Sequence, residues 1–145
     1  VDCNDFGDSG EFNFGIAVDV ASWSENNENN KGIWMYKRQT RESFTAFEDN
    51  CNFKLLNKNT EIKFYPNDNY YTTENMETFP QIKFYAWDNT IHEDGACLTS
   101  LDNRSDCDNV TSFSEHSIIA NFSPINMNYS ITKIIEFFWS IFICA

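Results

Sequence analysis

Aromatic side chains and carboxylates interleave along this chain in a pattern that suits recognition better than catalysis. Trp34 and Tyr36 precede Glu42; Glu77 precedes Tyr85, Trp87 and Asp88; Asp108 stands further on, and Glu136 lies shortly before Trp139. A carboxylate facing an apolar interior is costly unless a cation or hydrogen bonds compensate it. An organic ammonium supplies both, and an aromatic face adds cation–π attraction of about 0.5–2 kcal/mol. The set reads as a candidate cation pocket. The opposing reading puts the aromatics in the core and the acids on the wet face, and the residue pattern leaves both open.

Catalysis has little to work with. A nucleophile needs an adjacent base. The histidines are His92 and His116, both in expected loops, and the chain has neither a Gly-x-Ser-x-Gly elbow nor a Gly-rich phosphate loop. Adjacent acids such as Glu48/Asp49 and Glu93/Asp94 read as solvated. The cysteines at 3, 51, 97, 107 and 144 are too dispersed for a zinc site. The expectation is a binding protein with no enzyme activity, no cofactor and no metal.

The elements that would position these residues are strands. The 145 residues suffice for one domain spanning 1–145, and 41% apolar and 17% aromatic content supplies a core. Phe and Tyr, at 14 and 6, outnumber Gly and Pro, at 5 and 3, which favours pleated surfaces. Residues 1–15 are Gly- and Asp-rich and read as loose. Residues 16–24 carry apolar residues at near-helical spacing after the capping candidates of 5–9, so a short helix is expected there. Residues 26–31 read as a polar linker. Strand patterns follow at 33–36, 51–56, 60–65, 81–87, 97–101, 109–113, 117–122 and 131–144, separated by turn signals such as Asn57-Lys58-Asn59 and Pro66-Asn67-Asp68-Asn69. Within 81–87, Ile82, Phe84 and Ala86 point one way and Lys83, Tyr85 and Trp87 the other. Six to eight short strands imply an all-β barrel or sandwich.

The formal charge of −12 disfavours nucleic acid and anionic membrane surfaces and suits a cationic partner or plain solubility. Sequons at Asn103, Asn109, Asn121 and Asn128, together with five cysteines, point to a secreted glycoprotein with disulfides. The Val1 start reads as a mature chain whose leader has been removed. The apolar run at 134–145 is too short to span a bilayer and reads as a buried strand or as an end that has lost a following segment.

Several segments resemble lipocalins. Gly32-Ile33-Trp34 is similar to the Gly-x-Trp that opens the first barrel strand of that family, and Phe47-Glu48-Asp49-Asn50-Cys51 is similar to the segment entering its second strand. The likeness is closer to tick salivary lipocalins of the histamine-binding type. Asp19-Val20-Ala21-Ser22-Trp23 resembles their N-terminal helix, and Trp34-Met35-Tyr36-Lys37 their first strand. Met76-Glu77 with Ile82-Lys83-Phe84-Tyr85, and Ser100-Leu101-Asp102-Asn103 with Cys107-Asp108, resemble the segments that carry their pocket acids. The likeness covers roughly residues 16–113.

The resemblance implies a monomeric, eight-stranded antiparallel barrel with a short N-terminal helix and one small-ligand cavity. Trp34 would pack at the closed base. Glu77 and Asp108 would be amine counter-ions, with Glu136 and Trp139 standing in for a pocket Glu and Trp, and the interleaved pattern adds Trp34, Tyr36, Glu42, Tyr85 and Trp87 as residues around the ligand. Cys107 would bond Cys144. The family's C-terminal helix and final cysteine have no counterpart here, so Cys51 lacks its usual partner, and Cys3 and Cys97 are the candidates. A Trp usual before the first cysteine is replaced by Ala46 or Phe47. The implied function is sequestration of a host mediator, a biogenic amine such as histamine or serotonin. Two alternatives stand beside it: a fatty acid or leukotriene carrier of the same fold, and a secreted protein–protein inhibitor or toxin on a β-sandwich.

Overall fold

The computed structural model describes residues 14–25, 32–38, 42–48, 50–66, 80–89, 91–101, 104–105, 112–114, 116–121 and 128–137. In chain order these form β1 (Gly15–Asp19), α1 (Ala21–Glu25), β2 (Gly32–Lys37), β3 (Thr45–Ala46), β4 (Phe53–Asn57), β5 (Glu61–Pro66), β6 (Gln81–Trp87), β7 (Cys97–Leu98), β8 (Arg104–Ser105), β9 (Phe113–Ser114), β10 (Ile118–Asn121), β11 (Asn128–Ser130) and α2 (Ile131–Phe137).

The strands make two sheets. The larger runs β7-β4-β1-β6-β9-β8, with β10 also on β6; the smaller runs β11-β5-β2-β3. Neighbours are antiparallel except β8 and β9. All-β architecture holds, but the sheets do not close into the eight-stranded barrel: among the described residues no ladder joins one sheet to the other. A barrel would need the edges to pair. Here the sheets meet instead through one apolar cluster, drawing Ile16, Val18, Leu56, Ile82 and Phe84 from the larger sheet and Trp34, Tyr36, Ile62 and Phe64 from the smaller. Trp34 is 4% exposed, so it is buried, yet between sheets and not at a barrel base.

The segment around Ile16–Val18 is a strand and not a helix. β1 is central, paired to β4 on one side and β6 on the other. A strand covered on both faces reads as a continuous apolar run, which periodicity alone does not separate from a buried helix. Gly15 is required there, because a Cβ would meet the Leu56 carbonyl oxygen and come within 2.9 Å of the Trp87 ring. Helix begins only at Ala21, where Asp19 caps it: the Ser22 N–H donates to Asp19 Oδ1 at 3.2 Å.

The C-terminal segment departs in the opposite sense, since residues 131–137 form α2 and not a strand. Ile131, Ile134 and Ile135 are buried while Lys133 is exposed, the i, i+3, i+4 spacing of a helical face. Ser130 caps it, its Oγ accepting from the Lys133 N–H at 3.1 Å.

The outer face of the larger sheet is covered as well. Ala17, Leu55, Tyr85 and Trp87 pack there against Leu101 and Phe113, with Ala96 and Leu98 at the margin. The covering segment is pinned by Arg38, whose Nε donates to Asp94 Oδ2 at 3.0 Å while Asp94 Oδ1 accepts from the Asn57 N–H at 2.9 Å. That hydrogen bond to Asp94 raises the Arg38 pKa, so the guanidinium stays charged. Gly95 turns beneath it at φ +86°, where a side chain would be strained. A disulfide joins Cys51 to Cys97 across a Cα separation of 5.2 Å, which gives Cys51 one of its two candidate partners.

Candidate functional site

A cleft of about 470 Å³ opens beside the inter-sheet core, walled by Trp23, Trp34, Phe47, Glu48 and Cys51. Its parts come from three elements. α1 presents Trp23, β2 presents Trp34, and the segment between β3 and β4 presents Phe47 and Glu48. Gly32 lets β2 lie close on β5, since a Cβ there would be 2.6 Å from the Phe64 ring and 2.8 Å from Pro66 Cα. This steric demand gives the Gly32-Ile33-Trp34 pattern a reason to begin with glycine.

The aromatic walls are ordered by mutual packing. Trp23 and Trp34 lie within 21° of parallel with centroids 6.3 Å apart, and Phe47 stands edge-on to Trp23 at 89° and 5.0 Å. Tyr36 supports Phe47 from beneath at 4.8 Å. These contacts fix the three rings against one another as the aromatic side of the cleft. Trp23 is 6% exposed, and its Nε1 has no hydrogen-bond acceptor among the described residues.

Glu48 supplies the charge. Its Oε1 accepts from the Tyr36 hydroxyl at 3.0 Å and from Lys54 Nζ at 2.9 Å. Lys54 is 4% exposed on β4, with its ammonium 5.0 Å above the Tyr36 ring. Partial burial works against the Glu48 charge, but the bonds from Lys54, from its own backbone and from Tyr36 outweigh it and hold the carboxyl below its usual range. Oε2 lies 3.8 Å from Cys97 Sγ.

Ligand atoms of Glu48, Cys51 and Cys97 lie within 4.8 Å of one another. Both sulfurs are tied in the disulfide, however, and a bonded cysteine offers no thiolate to a metal.

The structure brings together only part of the expected ligand set. Trp34 lines the cleft and Tyr36 underlies it. Tyr85 and Trp87 do not join them. They project from the opposite face of the larger sheet, Tyr85 against Phe53 at 6.2 Å and Trp87 donating from Nε1 to the Ile91 carbonyl at 3.0 Å. The alternation along β6 separates the two faces as expected, and it is the face away from Trp34 that carries these rings. Glu42 is exposed and does not line the cleft. Glu77, Asp108, Trp139, Cys107, Cys144, Asn103 and Asn109 lie outside the described residues. Glu136 falls in α2, Asn121 ends β10 and Asn128 opens β11.

Sequence reasoning missed Trp23, Phe47, Glu48 and Lys54 as site residues, although three of them sit inside the lipocalin-like segments. The available signal was Lys54, a lysine within the strand pattern 51–56, which requires an anion once it is buried. Among the described residues no helix is long and apolar enough to cross a membrane. Comparison with protein-family models, with curated proteins and with solved structures finds no match to this chain.

Proposed function

We propose that this chain is a secreted protein that binds a small organic cation in the aromatic cleft and acts by sequestering it, without turnover. A biogenic amine is the ligand class favoured. The observation that carries the reading is the meeting of three aromatic walls with the Glu48 carboxylate at one cleft. The cleft volume of about 470 Å³ falls within the roughly 300–1,000 Å³ of small-molecule sites. The net charge of −12 raises the local concentration of cations and speeds their capture. The Cys51–Cys97 disulfide and the sequons support an oxidising, secretory setting.

Lys54 favours one rival. It already compensates Glu48, so the cleft can also be read as an apolar lipid site whose only charges are paired. Calorimetry with histamine, serotonin and palmitate separates the two. The amine reading expects an amine to bind the native chain and to weaken about tenfold on Glu48→Gln, roughly 1.4 kcal/mol. Glu93→Gln, an equal charge change at an exposed position, should leave binding unchanged. Palmitate binding without amine binding would transfer the assignment to the lipid reading.

A further inference from the structure

Lys54 stands beside two groups that can be anions. Its Nζ lies 2.9 Å from Glu48 Oε1 and 3.6 Å from Cys97 Sγ, and Glu48 Oε2 lies 3.8 Å from the same sulfur. The backbone fixes this meeting, because Lys54 and Cys97 sit directly opposite each other in the β4–β7 ladder. That pairing does not depend on the disulfide, so ammonium and sulfur stay neighbours when the bond opens. The bond itself is unevenly placed. Cys51 is 2% exposed and walls the cleft, whereas Cys97 is exposed and meets Glu48 at the surface. Cys97 is therefore the half that an external thiolate encounters.

We propose that the Cys51–Cys97 bond is a redox switch on the charge of the cleft, opened by a dithiol, with Cys97 released as a thiolate that Lys54 stabilises. One thiolate of the dithiol attacks Cys97 Sγ. The bond to Cys51 breaks, and its electron pair leaves on the Cys51 sulfur, which takes up a proton. The second thiolate then attacks the dithiol's own sulfur in the mixed disulfide, closing a cyclic disulfide and expelling Cys97 as a thiolate. The dithiol is oxidised and the protein bond reduced; of the protons the dithiol gives up, one ends on Cys51 and the other in solvent. Two charged groups face the released sulfur. The Lys54 ammonium favours its thiolate and the Glu48 carboxylate opposes it. The lysine side chain is 5% exposed and the glutamate side chain 43%, so water screens the carboxylate more strongly and the ammonium prevails. In the oxidised chain the charges of Glu48 and Lys54 cancel. In the reduced chain the thiolate adds a negative charge beside them. Resting on the reading of this cleft as an amine site, reduction strengthens its hold on an ammonium.

The full chain in dithiothreitol redox buffers tests this, with Cys51 and Cys97 followed by alkylation and mass mapping. Lys54→Met should need a buffer about tenfold more reducing for the same degree of opening, the equivalent of one pKa unit in Cys97. Lys133→Met, at an exposed position on α2, should behave as the native chain. In the reduced native chain the pH profile of Cys97 alkylation should have its midpoint below the free-thiol value of about 8.5 and should rise in Lys54→Met, a shift that a merely structural lysine would not produce. Cys51→Ala frees the Cys97 thiol without reductant. It should bind histamine or serotonin about tenfold more tightly than the Cys51→Ala/Cys97→Ala chain. An opening ratio unmoved by Lys54→Met, or a Cys97 midpoint at or above about 8.5, overturns the proposal. So does a native chain whose circular dichroism is lost on reduction, since the bond would then hold the fold and not set a charge. Equal amine affinity of the two cysteine variants overturns the coupling to the cleft. If neither amine binds any of these chains, the amine reading falls, and the buffer ratio and alkylation profile still decide whether Lys54 holds a Cys97 thiolate.

Discussion

Replacing Glu48 by Gln should destabilise the fold through Lys54, and the size of the effect follows from the pair's geometry. Lys54 Nζ lies 2.9 Å from Glu48 Oε1, with the lysine side chain 5% exposed and the glutamate side chain 43% exposed. At an effective dielectric of about 20, two unit charges at that distance attract by about 6 kcal/mol. Desolvating the ammonium takes back several kcal/mol, and this cost persists when the carboxylate is removed. A wholly buried pair broken on one side loses about 3–5 kcal/mol. Solvent at Glu48 lowers the expected loss here to about 2 kcal/mol. Lys54→Met removes the need for the anion and should cost less than Glu48→Gln, and the double variant should regain much of the loss. The pH dependence has a definite sign. Because the folded-state carboxyl titrates below its unfolded counterpart, the stabilisation is complete above the unfolded value of about 4.3 and is lost as pH falls through the lower folded value. Urea denaturation at pH 7 and pH 3 should therefore show a gap between native and Glu48→Gln that narrows in acid. A loss under about 0.5 kcal/mol at pH 7, or a gap that widens in acid, would refute the assignment of Lys54 as a buried cation held by Glu48.

Three further perturbations probe the frame around the cleft. Replacing Cys51 and Cys97 together by Ala should cost about 4 kcal/mol from the chain-entropy relation for a separation of 46 residues, read by urea denaturation without reductant; a loss under 1 kcal/mol would argue against the bond. Gly15→Ala should cost about 1–3 kcal/mol in thermal melts because its Cβ meets the Leu56 carbonyl and the Trp87 ring, and a neutral result would contradict the β1–β4 register. Ser130→Ala should remove the α2 cap for about 1 kcal/mol, while Ser130→Asp should retain it; equal stability of all three chains would deny the cap.

The strand content was legible because half-buried strands alternate. Residues 81–87 announce both faces of β6, and 60–65 announces β5 within a residue of its observed bounds. Two segments misled for physical reasons. β1 is covered on both faces, which erases alternation and leaves an apolar run that reads equally as helix. Residues 131–137 carry the helical spacing of Ile131, Ile134 and Ile135 and a capping Ser130, but the apolar run beyond them outweighed that signal in favour of a strand.

The site was harder to read, because alternation says which residues share a face and not which face meets which neighbour. Tyr85 and Trp87 were correctly placed together on β6, yet their side of the sheet packs against Leu101 and Phe113, away from Trp34. Glu48 and Lys54 are six residues apart and belong to a loop and a strand, so their contact depends on how the chain turns at Cys51. The absence of ladders between the sheets among the described residues likewise depends on pairings that no local pattern encodes.

The central proposal is that an amine is held in the cleft. A crystal structure of the chain with a bound aryl amine tests that most directly. The expected result is the ring against Trp23 and Phe47, with the ammonium at hydrogen-bond distance, about 2.7–3.2 Å, from the Glu48 carboxylate. An amine seated against the opposite face of the larger sheet, beside Tyr85 and Trp87, or anywhere away from Glu48, would contradict it.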